Sequence, residues 1–263
     1  MRDIPSDFSL TPGQQRVVDA VVSGQAYISD DLGDALVPLG PPAAYLDFET
    51  FSPAVPLYAG TSPYQRIQFQ WSIHYDDGQS DVRHSEFLAE GDSDPRRDFA
   101  QKLIVAIGRT SGPNIAYSPF EAGVLHDLAA LYPDLSLPLL AVFDRICDLL
   151  PIVRTHVAHP AFLGSYSIKV VAPALVPGFS YDDLDEIAHG DDASAIFYRL
   201  ASDRSLSNDD RARYRQGLLR YCGRDTLAML CVHRKLLWHS ETNTVLEGEG
   251  HGARADSRGP DRV

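Results

Sequence analysis

Three cysteines are all that this chain of 263 residues carries, and Cys147, Cys222 and Cys231 lie too far apart to form a Cys-x-x-Cys pair. An odd, unclustered set suits a reducing compartment and offers no zinc-site spacing. No apolar run approaches the roughly 20 residues a membrane helix needs. The opening Met1-Arg2-Asp3-Ile4-Pro5-Ser6-Asp7 also lacks the apolar segment of a secretory signal. The expected location is therefore cytoplasmic, with no membrane partner. Positive charge is scarce too: 23 Lys and Arg face 36 Asp and Glu, a formal net charge of −13. That balance argues against a protein that coats duplex DNA through counterion release. It leaves room for an enzyme that grips a few nucleotides locally, and carboxylates that hold divalent metals would add to the acidic count.

What is present is ordinary globular composition, 44% hydrophobic and 22% charged, and the length allows one large domain or a small domain with an appendage. Thr11-Pro12-Gly13-Gln14-Gln15 opens a helix, with Thr11 as N-cap and Pro12 in its first position. Val17, Val18, Val21 and Val22 form its apolar stripe, and Gly24 stops it. Residues 33–43 read as a connector. Residues 43–50 read as a strand, 67–75 alternate with period two as a half-buried strand, and 82–88 form its hairpin partner after Asp76-Asp77-Gly78. A helix over 95–108, a strand at 114–117 and a helix from 119 to about 131 follow. The apolar region 139–154 fits helix or strand. Ser167 caps a short helix through Leu175, and a last helix runs from about Asp209 to Trp238. Beyond Ser240 the composition predicts disorder. The expected organisation is an N-terminal helix and connector over 1–40, an α/β domain over 41–240 and a tail over 241–263. Strands first, then alternating helix and strand, predict a mixed sheet flanked by helices.

Asp47 and Glu49 lie two apart on a predicted strand, so their side chains share a face while Leu46 and Phe48 point to the core. A divalent cation would offset their repulsion. An isolated Asp-x-Glu is as readily an acidic strand surface. Tyr221 and Asp225 stand at i and i+4 in Tyr221-Cys222-Gly223-Arg224-Asp225-Thr226, neighbours on one helix face.

Together, Leu46-Asp47-Phe48-Glu49-Thr50 and Tyr221-Cys222-Gly223-Arg224-Asp225 resemble the first and third motifs of the DEDD exonuclease superfamily, tyrosine subtype. More closely, the stretch from about residue 5 to 238 resembles the bacterial family called domain of unknown function 2779. Pro63-Tyr64-Gln65-Arg66-Ile67-Gln68-Phe69-Gln70-Trp71-Ser72 and Gly164-Ser165-Tyr166-Ser167-Ile168-Lys169 carry that likeness with the Tyr221 motif. The resemblance implies a ribonuclease H-like fold and a 3′→5′ exonuclease acting on DNA or RNA, on single strands or 3′ ends. It implies two divalent ions, Mg²⁺ or Mn²⁺, with Asp47 bridging both, Glu49 and Asp225 completing one site, Glu121 serving the other and Tyr221 orienting the attacking water. Relatives often carry a nuclease-like domain ahead of this one; here such a partner domain would be supplied in trans.

The second motif departs from the family pattern. Where the superfamily has Asn and then Phe-Asp, this chain has Tyr117-Ser118-Pro119-Phe120-Glu121. Glu121 reads equally as a metal ligand and as the partner of Ser118 in a capping box around Pro119. Asp127 is turned away from Glu121 on helical geometry, and Asp148 resembles a supporting aspartate of the family. Ser165 and Lys169 are candidates for phosphate grip, beside the plainer expectation that Ser167 is an N-cap and Lys169 is solvated. Tyr64 and Gln65 are candidates to stack on a terminal base. Arg145 and Arg154 read equally as substrate contacts and as ordinary surface charges. His156, His159 and His189 have no zinc-site spacing. The alternative function is a catalytically degenerate nucleic-acid-binding or assembly module on the same fold.

Overall fold

The computed structural model describes residues 4, 5, 7–79, 81–184 and 190–242. The chain begins with α1 (Pro12–Ser23), closed by a reciprocal capping box between Thr11 and Gln14 and ended by Gly24 at φ 72°. β1 (Tyr27–Ile28) follows, then α2 (Leu32–Leu36) and one 3-10 turn at Val37–Leu39. The segment 33–43 is therefore mostly helical, not a plain connector. Leu32, Leu36 and Leu39 are spaced i, i+4, i+7, so one face buries all three. That burial organises a stretch whose glycine and prolines suggested irregular chain.

β2 (Ala43–Phe51), β3 (Ile67–Asp76) and β4 (Val82–Leu88) form an antiparallel meander. α3 (Arg96–Ile107), β5 (Asn114–Ala116), α4 (Phe120–Leu131) and α5 (Ser136–Phe143) come next. The ambiguous 139–154 region divides into the end of α5, β6 (Ile146–Asp148) and most of α6 (Leu149–His156). β7 (Val157–Ala158) pairs antiparallel with β1, and α7 (Ile168–Leu175), α8 (Gly190–Ser202) and α9 (Asn208–Thr242) complete the described chain. The expected disorder beyond Ser240 falls almost wholly outside the described residues. No helix among them is long and apolar enough to cross a membrane.

The main sheet is mixed, in the order β4-β3-β2-β5-β6, with β5 and β6 parallel to β2. Helices cover both faces. On one, Leu46 and Phe48 of β2 join Phe69, Phe99, Leu128 and Phe197 in the larger core. On the other, Ala43 and Tyr45 pack with Val171, Leu175, Met229 and Leu236 of α7 and α9. Asp47 and Glu49 continue the Ala43–Tyr45 face by strand alternation. A register shift between Glu49 and Thr50 then breaks the alternation, and Phe51 rejoins the larger core. The acidic face is thus confined to two residues. No helix was expected over 190–202, yet Ala193, Phe197 and Leu200 bury one face of α8, and Phe197 stacks on Phe69 at 4.0 Å between centroids.

Candidate active site

Three elements bring the candidate residues together. β2 presents Asp47 and Glu49 beneath α9, whose buried Tyr221 and Asp225 descend one turn apart. β5 runs parallel to β2, so α4 starts beside it and delivers Glu121 in its first turn. The Phe48 N–H of β2, between the two acids, favours the charged form of the Glu121 carboxylate, and Glu121 in turn acts on Asp47. Ser118 donates to the same carboxylate at 3.1 Å, and its hydroxyl accepts from Phe120 N at 3.1 Å. The expected capping box is therefore not formed: Pro119 occupies the N-cap position without a side-chain cap, and Glu121 is turned toward the strand. Cys222 donates its thiol to the Asp47 carbonyl at 3.5 Å. Lys169 donates to the Tyr221 hydroxyl at 2.7 Å, with its ammonium 4.3 Å from the ring centroid.

The four carboxylates share a poorly solvated space. Glu49, Glu121 and Asp225 are 8%, 4% and 7% exposed, so water can screen them little. Burial is the largest cause pushing Asp47 well above the usual carboxylate range, followed by the charges of Glu49, Asp225 and Glu121. Burial and then Asp225 push Glu49 up to about 8, against the pull of Lys169. Burial lifts Glu121 to about 7, opposed by its own N–H, Ser118 and Phe48 N–H. Burial raises Asp225 too, opposed by Lys169 and Tyr181. The Tyr181 hydroxyl faces Asp225 without the geometry of a full hydrogen bond. Tyr221 is raised by burial and then by Glu49, Asp225 and Asp47, so its phenol stays protonated. Asp47 Oδ2 and Asp225 Oδ1 are buried with no hydrogen-bond partner. Oxygens so placed, in an all-carboxylate set, match what a hard divalent cation takes. Among the described residues no three His, Cys, Asp or Glu side chains are arranged to hold an ion as they stand.

Residues 44–167 match the family described as Domain of unknown function (DUF2779). No curated protein and no solved structure matches the chain. The DUF2779 segment contains Asp47, Glu49 and Glu121. It ends before Lys169, so α7 and α9 complete the constellation from beyond it.

A cleft of about 550 Å³ reaches Asp47 and Glu121 of this cluster, with Tyr117, Ser118, Arg154 and Ser165 also on its walls; Glu49, Tyr221 and Asp225 lie buried behind and do not line it. Ser165 therefore stands on the cleft wall. Ser167 occupies the N-cap position of α7 but makes no side-chain cap bond, and Lys169 is engaged with Tyr221 instead of being merely solvated. Tyr64 is 73% exposed in its loop, and Gln65 accepts from Ser62 N at 2.9 Å; neither lines the cleft. Asp148 caps α6 through Leu150 N, and Asp127 pairs with Arg66. Arg145 holds Gly112 O and Thr110, whereas Arg154 faces the cleft. His159 accepts from Ala161 N, and His189 lies outside the described residues. Sequence reasoning missed Tyr117, whose buried hydroxyl lacks a partner, and Tyr181, which no local pattern marks.

Glu121→Gln separates a metal-ligand role of this side chain from a structural one. The substitution keeps the shape and removes a charge that burial disfavours. The expected metal-free variant melts no lower than wild type at about pH 8, while Mn²⁺-dependent turnover falls by about 10²-fold or more. A drop of several degrees with full turnover would make Glu121 purely structural.

Proposed function

We propose that this chain is a ribonuclease H-like, metal-dependent nuclease of the DEDD tyrosine subtype, a 3′→5′ exonuclease hydrolysing phosphodiester bonds of DNA or RNA. One observation carries the reading: Asp47, Glu49, Glu121 and Asp225 converge in one buried cluster with two unpartnered oxygens, beside a protonated tyrosine. The strand order, with three antiparallel strands followed by two parallel ones, supports the fold part by analogy.

Asp47, central among the four acids, would hold both ions; Glu49 and Asp225 would serve one and Glu121 the other. When bound, Mg²⁺ or Mn²⁺ would lower the pKa of water and neutralise charge on the phosphate. Tyr221 keeps its proton, so it orients water through its hydroxyl and is no general base. Lys169 is a positioning residue that holds that hydroxyl from the α7 side. Glu121, one methylene longer than aspartate, reaches the cluster from the first turn of α4.

The test is cleavage of labelled single-stranded DNA and RNA with Mn²⁺ and with EDTA. Tyr221→Phe should slow cleavage by about 10²-fold or more while leaving melting temperature and calorimetric Mn²⁺ binding unchanged. A wild type that binds nucleic acid but shows no Mn²⁺-dependent product would instead be a non-catalytic binding module.

A further inference from the structure

The acidic cleft does not end at Ser165. A second cavity of about 490 Å³ lies beside it, lined by Leu10, Val17 and Val18 from the α1 region, and Arg154, Gly164 and Tyr166 line both spaces. Gly164 stands at the junction of the two spaces. Its φ of 89° is open to few side chains, and a Cβ there would lie 3.8 Å from Val17 Cγ1. The Tyr166 hydroxyl donates to Val157 O at 3.1 Å, which fixes its ring as a wall. Arg154, exposed on the last turn of α6, has no hydrogen bond or ion pair among the described residues. The Tyr117 hydroxyl, also without a partner, lines the cleft on the other side.

We propose that the cavity under α1 is a base-binding subsite and that Arg154, at the seam, holds a backbone phosphate of a single-stranded polynucleotide lying along both spaces. The arrangement matches that polymer: an acidic centre for the reacting phosphate, an exposed arginine for a neighbouring phosphate, and apolar walls for a base. α1 precedes residue 44, so one wall of the subsite comes from outside the DUF2779 segment, whereas Arg154, Gly164 and Tyr166 lie within it. The proposal takes its ligand class from the nuclease reading and extends it by a second point of grip.

The experiment is anisotropy titration of the full chain with labelled oligodeoxynucleotide and oligoribonucleotide in EDTA, over a range of salt. Val18→Trp fills the cavity and should weaken binding about tenfold. Arg154→Ala should weaken it similarly and flatten the slope of log K against log salt by about 0.7, one phosphate contact on a single strand. Val17→Trp replaces Val18→Trp should the latter melt early. Wild-type affinity in the filled variant, an unchanged salt slope in Arg154→Ala, or no wild-type binding would each overturn the subsite. A parallel Mn²⁺ cleavage assay keeps the two ideas separate. Binding that needs Val18 and Arg154 without cleavage would leave the subsite standing and remove the nuclease. Cleavage by a wild type whose affinity neither variant lowers would do the reverse.

Discussion

Replacing Asp47 with asparagine is expected to bring Mn²⁺-dependent cleavage down to the level seen with EDTA, the largest functional effect of any single change here. Asp47 sits where Glu49, Asp225 and Glu121 all act on its carboxylate, and its Oδ2 is buried without a partner. An amide of the same shape keeps the packing but offers one neutral oxygen where an anionic pair stood. The metal-free variant should melt at or above the wild-type temperature, because a carboxyl group whose charged form burial and three neighbouring acids disfavour gives way to a neutral amide of the same shape. Calorimetric Mn²⁺ titration should show the heat of binding lost. Product gels with unchanged turnover would remove Asp47 from the chemistry.

The second large effect is on stability. In EDTA the melting temperature should fall by roughly 5 °C or more as pH rises between about 7 and about 8.5. The sign follows from proton counting. An unfolded glutamate, ordinarily near 4.5, is ionised throughout that window, whereas folded Glu121 and Glu49 hold protons until about 7 and about 8. The folded state therefore binds more protons, and its advantage drains away as pH climbs through those values. Burial lowers His74 and His233 to about 4, so both stay neutral in the folded state across this range. Mn²⁺ should reverse the trend, since it competes with those protons and its stabilisation grows as the carboxylates ionise. Differential scanning at several pH values, with and without Mn²⁺, reads both slopes. A flat profile in EDTA, with the same metal-induced shift at every pH, would mean that the carboxylates are not jointly buried.

What could be read without coordinates was whatever lies within one element. Asp47 and Glu49 share a face because strand side chains alternate, and Tyr221 and Asp225 share one because four residues make about one helical turn. The Thr11 N-cap and the β3–β4 hairpin were legible for the same reason: local spacing and turn residues determine them. α2 and α8 also carried helical leucine and phenylalanine spacings, but in runs too short or too polar to outweigh their glycines and prolines. Tertiary structure decided the rest. Cys222 and Asp47 meet across 175 positions of chain because α9 packs on β2, and nothing in either motif announces that contact. Glu121 lines the cleft with Asp47 because β5 runs parallel to β2 and starts α4 beside it. Lys169 meets Tyr221, and Arg154 borders two cavities while Arg145 closes a loop, because α6 and α7 pack where they do. Backbone geometry relates residues a few positions apart, whereas which side chains share a buried, weakly screened space depends on how the elements pack.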